Sequence, residues 1–496
     1  MASQETMREF ALESGTLILP EVAVFVSGIV SYLLSAFGWK TRWLIGLGVL
    51  YLALGCTLNI WLLVEEVSST SFFFFNRVIG SMAAAVYVAC IGYLCMGWRN
   101  VPADVLGEFA GSMAVFAGGC ALAMKANDLI GLFVSLELVS MSVYFMLYIV
   151  RPSRRGQEAV LKYFLLSVFA GAFLAMGLAQ HYGLSGATSY EMVGKVVQSV
   201  GPGARAIGLV AILFVVAGLA YRMAAVPMHF YAPDVYQGSA TPSVAILAWA
   251  GKVVAYVVLA RCVTEWWCSG GTRGDPLAES VTLVLWLLGM SSILVGSLAG
   301  LVQSELRRLL AYSGIMNSGF ILIPIAAMCD ASSQVEALKS LVLFIVSYGL
   351  LIVGLFATLT HIEGRGDTID FVEELAGLAE RHRGLALMIL VFLLGLLGVP
   401  PTLGFWAKLN VFLVAWGTHR PIVQALGIGL LVGSVISAWY YLRIINVMYF
   451  RAAIKPRVVD ARWSASLGVA IVCCAAVVGL FFGINGVAYV LERVVE

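Results

Sequence analysis

Six side chains stand where a charge or a titrating ring has to be explained: Glu137, Lys162, Arg222, His229, Lys252 and Lys408. Glu137 sits in the middle of Leu132-Phe133-Val134-Ser135-Leu136-Glu137-Leu138. Lys252 follows Trp249-Ala250-Gly251 and precedes Val253-Val254, and Lys408 closes Leu403-Gly404-Phe405-Trp406-Ala407. A charge at the centre of a membrane helix costs at least ~2.5–3.5 kcal/mol on insertion scales, so each needs a partner, a proton or a task. The residue types point to a task. Eight of the 30 basic residues are lysines, and Lys162, Lys252 and Lys408 fall in apolar stretches, whereas most arginines fall in polar connections. Arginine keeps its proton in proteins, while lysine can give its own up when water is withdrawn. That split suits groups that load and release protons. Lys162, near the start of its stretch, reads equally as a snorkelling lysine. Arg222, five residues before Pro227, can pair with Glu137 and tune its neighbours, but a permanent cation does not relay protons. His229 reads either as a group titrating near neutral pH or as a partner for backbone freed by that proline. His361 reads as a helix C-terminal dipole partner, and Asp234 and Tyr236 as turn residues that fix backbone.

These residues need elements that hold charge away from water, and the composition supplies them. The 496-residue chain is 61% hydrophobic and only 12% charged. A soluble domain carries roughly 25% charged residues, so lipid must be the solvent. A net charge of +2, with no long basic run, leaves no electrostatic case for nucleic acid. The nine cysteines make no CxxC pair and have no histidine at ligand spacing, so no zinc site, iron–sulfur cluster or disulfide framework is expected. No phosphate-binding, dinucleotide or zinc-protease motif occurs. The chain is therefore expected to bind no cofactor of its own and to draw energy from an ion gradient or a partner. The first 14 residues are polar and of mixed charge, without the basic start of a cleaved signal, so the first apolar stretch reads as a retained helix.

A spanning helix needs roughly 20 mostly apolar residues. Such stretches occur at 17–37, 43–63, 78–96, 109–124, 129–150, 160–181, 207–222 with a continuation to 236, 244–264, 279–301, 309–328, 335–360, 385–416, 422–450 and 464–482. The fold class is thus an all-α polytopic membrane protein of about fourteen spans, in one membrane domain over 1–496. Connections after odd-numbered spans carry Lys40, Arg42, Arg151, Arg154, Arg155, Arg307, Arg308, Arg381, Arg383, Arg451, Lys455, Arg457 and Arg462. The positive-inside rule puts those loops in the cytoplasm and both termini outside. Prolines at Val226-Pro227 and Gly398-Val399-Pro400-Pro401 break spans seven and twelve. Breaks at corresponding places mark the binding region of transporters built from inverted repeats. Five spans separate these two, an odd number, so the repeats would be inverted. The division is 1–100 for spans one to three, 101–265 for repeat one (spans four to eight), 266–450 for repeat two (nine to thirteen) and 451–496 for span fourteen.

The motifs resemble a known family. Pro227-Met-His-Phe-Tyr-Ala-Pro-Asp-Val-Tyr-Gln-Gly238 followed by Thr241-Pro242 is similar to the signature of subunit N of NADH–quinone oxidoreductase, respiratory complex I. So are Leu136-Glu137-Leu138 with Ser140, Glu158-Ala-Val-Leu-Lys162-Tyr163-Phe164, Arg308-Leu-Leu-Ala-Tyr312-Ser313 and Gly398-Val-Pro-Pro-Thr-Leu-Gly-Phe405 ahead of Lys408. The likeness runs over essentially the whole chain. It implies an antiporter-like subunit of the membrane arm with fourteen helices, two inverted repeats and one proton channel. The family's acidic residue on span five falls on Glu137, and its lysines on spans six, eight and twelve fall on Lys162, Lys252 and Lys408. The family usually has a lysine where this chain has Arg222, and relatives often have a histidine where Asn317 stands.

The resemblance implies partners: the other membrane-arm subunits, with NADH, FMN, iron–sulfur clusters and quinone all in partner subunits. The default setting is a bacterial inner membrane, with a chloroplast or plant mitochondrial membrane as the open alternative. In that scheme Glu137 and Arg222 form a switchable pair. Opening it sets an unscreened guanidinium against Lys252, whose proton moves toward Lys408 and the outer side. Two rivals use the same residues differently: a stand-alone cation/proton antiporter, and a structural member of the membrane arm with no working channel.

Overall fold

A helix that is apolar all round has no face for water, and it satisfies its own backbone, so these stretches fold as helices packed on one another and on lipid. The computed structural model describes residues 2–39, 43–65, 69–70, 72–150, 154–199, 201–268, 275–364, 368–453, 459 and 463–495. Among them, 13 helices are long and apolar enough to cross a membrane. Arg383–Leu397 and Leu403–Gly417, each too short alone, together make the twelfth crossing, so the expected fourteen are present. Only isolated β-bridges occur among the described residues. Lys40, Arg42, Arg151, Lys455, Arg457 and Arg462, which carry much of the orientation argument, lie outside the described residues.

Two helices of ten or more residues were not expected. Tyr190–Ser199 lies in the connection after span six, and Ile484–Val495 follows span fourteen. Both are short and amphipathic, so neither shows as an apolar run. Tyr190–Ser199 buries Tyr190, Val193 and Val197 and turns Glu191 and Lys195 outward.

Spans eight, ten and eleven form the centre: 94%, 94% and 89% of their most apolar stretches are buried, against 33% for span six. Span four packs on five and six on seven, as nine packs on ten and eleven on both halves of twelve. Small residues permit the closest approaches. A Cβ added to Gly296 on span nine would lie 2.4 Å from the Met316 amide nitrogen on span ten.

Both expected breaks are present. The first half of span seven, Pro202–Met223, ends at Ala224, whose φ of 54° is left-handed, and the chain resumes as Tyr231–Gly238. In span twelve Gly398 takes a φ of 88°, and the second half starts at Leu403. Val226–Pro227 and Pro400–Pro401 are cis. Carbonyls freed by the first break find donors: the Tyr231 hydroxyl reaches Tyr221 O at 3.0 Å and the Ser318 hydroxyl reaches Met223 O at 2.7 Å.

Span eight departs from expectation. It was read as one helix over 244–264, but it runs as Thr241–Ala248, a break at Trp249, Ala250–Arg261 and a π-helical turn Cys262–Trp267. Trp249 holds the break in place. Its indole N–H donates to Ile345 O on span eleven at 2.8 Å, and its ring lies against Gly349, where an added Cβ would come within 2.4 Å of it. Tertiary packing makes this kink, with no proline to announce it.

Candidate functional site

The expected pair between spans five and seven forms. Arg222 Nη2 lies 2.9 Å from Glu137 Oε1, and Nη1 donates to Ser140 Oγ at 2.6 Å. Ser140 is one helical turn from Glu137, so one guanidinium fork engages both. Arg222 ends a helix, where a cation also meets the negative end of the dipole. Gly171 on span six makes room for the carboxylate; a Cβ there would sit 3.0 Å from Glu137 Oε1.

Lys252 stands three residues past the Trp249 break and is 2% exposed. Its ammonium donates to Gly314 O at 3.0 Å and Ser318 Oγ at 3.2 Å, both on span ten. The Tyr256 hydroxyl donates to the same Ser318 oxygen at 2.8 Å. The Ser318 hydroxyl in turn reaches Met223 O, the residue after Arg222. Ser318 therefore joins Lys252 to the turn that carries Arg222. No carboxylate pairs with Lys252 among the described residues, so this ammonium is held by dipoles alone.

The polar line continues toward span twelve. Around Gly314, a Cβ would lie 3.2 Å from Lys252 Nζ, 3.3 Å from the Tyr348 hydroxyl and 3.9 Å from the Tyr236 hydroxyl. Tyr348, with Asn317, Ser347 and Lys408, also lines a cavity of about 10 Å³. That is about the space of one water. The Tyr348 and Ser347 hydroxyls are buried without a hydrogen-bond partner. Lys408 closes the far side. It donates to Leu397 O at 3.0 Å, the end of the first half of span twelve, and to Ser434 Oγ at 3.2 Å. Its ammonium also lies 5.1 Å from the centre of the Phe320 ring, a cation–π distance.

Lys162 belongs to a separate cluster. It lies 2.7 Å from Asp234 Oδ2 and 2.8 Å from Glu158 Oε1, and Arg308 Nη1 is 2.8 Å from Asp234 Oδ1. These groups, with Arg155 and Gln237, surround a cavity of about 270 Å³. Asp234 and Tyr236 were expected to fix a turn. Instead both lie in the helix Tyr231–Gly238; Asp234 holds two cations and Tyr236 points to the Gly314 centre. His229 stands apart from the lysines. Its ring lies against Phe230, and its Nδ1 has no hydrogen-bond partner. His361, near the end of Gln334–Glu363, meets Ser464 Oγ at 2.6 Å. Asn317 donates to Ser313 O at 2.8 Å on its own helix.

Sequence reasoning took Glu137 as the one carboxylate near a helix centre. Glu21 on span one is 1% exposed and lies 2.8 Å from Lys125 on span four. The same signal, a charge inside an apolar run, was available there. Ser318, Tyr256 and Tyr348 carried no such signal, because hydroxyl residues are common throughout these helices.

Residues 126–437 match the NADH:quinone oxidoreductase/Mrp antiporter transmembrane family. A protein of Rhodospirillum rubrum called NADH-quinone oxidoreductase subunit N is 34% identical over 364 residues, which cover 73% of this chain and 71% of that one. A chain in the structure of respiratory complex I from Thermus thermophilus superposes with a TM-score of 0.77 at 27% identity, covering 93% of this chain and 96% of that one. A chain of the Mrp complex from Dietzia sp. DQ12-45-1b superposes with a TM-score of 0.82 at 16% identity, covering 98% and 96%, a likeness of fold alone.

Proposed function

The chain belongs to the NADH:quinone oxidoreductase/Mrp antiporter family, and we propose that it is the proton-translocating, antiporter-like subunit N of the membrane arm of an NADH–quinone oxidoreductase. The observation that carries this reading is the hydrogen-bonded line from Glu137 through Arg222 and its turn to Ser318 and Lys252. It ties a charge pair that can open to a lysine that can exchange its proton.

In this reading partner subunits hold NADH, FMN, the iron–sulfur clusters and quinone, and this chain contributes no redox centre. Quinone reduction there shifts the Glu137–Arg222 pair apart. The turn at Met223 moves with Arg222 and pulls on Ser318, so Lys252 loses a hydrogen-bond acceptor and faces an unscreened cation. Both changes disfavour its ammonium. The proton leaves toward Tyr348 and the small cavity, then to Lys408. Lys162, Asp234 and Arg308 form the water-accessible intake. Each charge moved against the field costs ~2.3 kcal/mol per 100 mV, which is why the partners must drive the cycle.

The partner surface follows from Glu137, whose side chain is 29% exposed at mid-span. A carboxylate does not face hydrocarbon at that depth, so an adjoining subunit covers it. The membrane is a bacterial inner membrane, with loops after odd-numbered spans in the cytoplasm and both termini outside. The residues 101–265 and 266–450 act as the two inverted repeats, each contributing one broken helix.

The test is Lys252→Ala, with Lys252→Arg beside it, in the assembled complex. Assembly is checked on native gels. Both variants should lose proton uptake and coupled NADH–quinone turnover. Normal pumping by an assembled Lys252→Ala complex would overturn the scheme.

A further inference from the structure

The sulfurs of Cys268 and Cys329 touch. Cys268 follows the π-helical turn that ends span eight, and Cys329 follows span ten. In this structure both are free thiols, fully buried, and the Cys268 Sγ donates to Cys329 Sγ at 2.7 Å. The other cysteines lie on the spans, among them Cys90 on span three and Cys120 on span four. Sixty-one positions separate the pair in sequence, so no spacing rule would flag it.

We propose that Cys268 and Cys329 form a disulfide that staples the outer ends of spans eight and ten. The proposal rests on the orientation read above, which puts connections after even-numbered spans outside, where disulfides persist. In the step, one Cys thiolate attacks an exchange-active disulfide of a thiol–disulfide oxidant of that compartment. The second Cys thiolate then displaces the oxidant from the mixed disulfide. The Sγ–Sγ bond forms, the two thiols lose two protons and two electrons, and the oxidant leaves as a dithiol. Because both sulfurs are enclosed in the folded chain, the exchange precedes final packing of the two helix ends. The bond has a use in this fold. Span eight carries Lys252, and span ten carries Gly314 O and Ser318, the two groups that hold its ammonium. A covalent tie at the ends of these helices keeps that contact in register while the broken helix beside it moves.

The experiment uses the whole complex from aerobically grown cells. It is denatured in detergent with N-ethylmaleimide, digested, and analysed by mass spectrometry with and without prior reduction. Without reductant, the Cys268 and Cys329 peptides should appear linked, two hydrogens lighter than their sum, and each should become alkylated after reduction. Cys90 and Cys120 should be alkylated in both samples. Cys268→Ser should free Cys329 for alkylation without reductant. Orientation is read separately from Lys195→Cys, an exposed position after span six. Labelling there by a membrane-impermeant maleimide added outside, with Cys268 and Cys329 both alkylated without reductant, overturns the disulfide alone. No labelling from outside, with both thiols alkylated, overturns the orientation and the disulfide together.

Discussion

Ser318→Ala tests the line at the joint that sequence could not show. Ser318 Oγ accepts from Lys252 at 3.2 Å and from Tyr256 at 2.8 Å, and lies 2.7 Å from Met223 O. Alanine deletes one of two acceptors for a buried ammonium. A hydrogen bond to a charged group contributes about 1.5–3 kcal/mol. Since ~1.4 kcal/mol is tenfold in an equilibrium constant, the hydrogen-bonded form of this centre should be weakened by roughly 10- to 150-fold. Coupled turnover limited by that form should drop at least about tenfold. Tyr256→Phe is the internal comparison. It removes a neutral bond to the same oxygen, about 0.5–1.5 kcal/mol, and leaves the Lys252 contact in place, so the loss should stay within about tenfold. Both variants would be reconstituted as the full complex in proteoliposomes. NADH oxidation with and without uncoupler, and quenching of a pH-sensitive dye, give the readings. Ser318→Ala pumping at the unmodified rate, or Tyr256→Phe hitting harder than Ser318→Ala, would refute the joint.

Further outcomes follow from the same geometry. Tyr348→Phe deletes a buried hydroxyl that has no partner, so thermal stability should hold or rise, while proton uptake falls; unchanged uptake would remove Tyr348 from the path. Gly398→Ala places a Cβ 2.8 Å from Lys408 Cδ at a φ of 88°, where a side chain costs about 1–2 kcal/mol, so assembly should weaken and pumping should fall in whatever assembles; a fully active, stable variant would show that Lys408 does not depend on this turn. Glu137→Gln should lower thermal stability by about 1–3 kcal/mol, below the full figure for a broken buried pair because Glu137 is partly exposed, and adding Arg222→Gln should restore part of it while pumping stays absent. Equal losses that simply add would mean that the two side chains do not act as a pair.

The fourteen spans were legible because lipid imposes a long apolar run on each, and the breaks of spans seven and twelve because proline has a fixed backbone consequence. Glu137, Arg222, Lys252 and Lys408 were legible because a charge stands out against such runs. What sequence could not show is which ordinary residue meets which charge. Ser318 and Lys252 are 66 residues apart, and Arg222 and Glu137 are 85 apart. Only packing brings them together. The Trp249 break is of the same kind, since a tryptophan bonded to a neighbouring helix bends its own helix without any local signature. Asp234 was misread for a related reason. A Pro-Asp pair is a turn signal in water, but here it opens a short helix and its carboxylate serves Lys162 and Arg308.

Arg222, like Asn317, is a place where this chain departs from its resemblance, and in the proposed mechanism the departure has a use. A lysine at this position would be a point charge able to exchange its own proton. The arginine cannot exchange, but its planar fork reaches Glu137 and Ser140 together, which a single ammonium holds less firmly. In the proposed mechanism the pair is therefore a mechanical element. Its state is set by where the guanidinium sits, and it reports that state through the helix end it terminates. Met223 O, one residue on, is the acceptor that Ser318 reaches, and Ser318 is what Lys252 leans on. Under that mechanism, arginine at this position keeps span seven out of proton exchange and leaves that step to Lys252 and Lys408. The broken helix, as proposed, converts displacement of a fixed charge into the gain or loss of a hydrogen bond at Lys252, whose proton then passes toward Lys408.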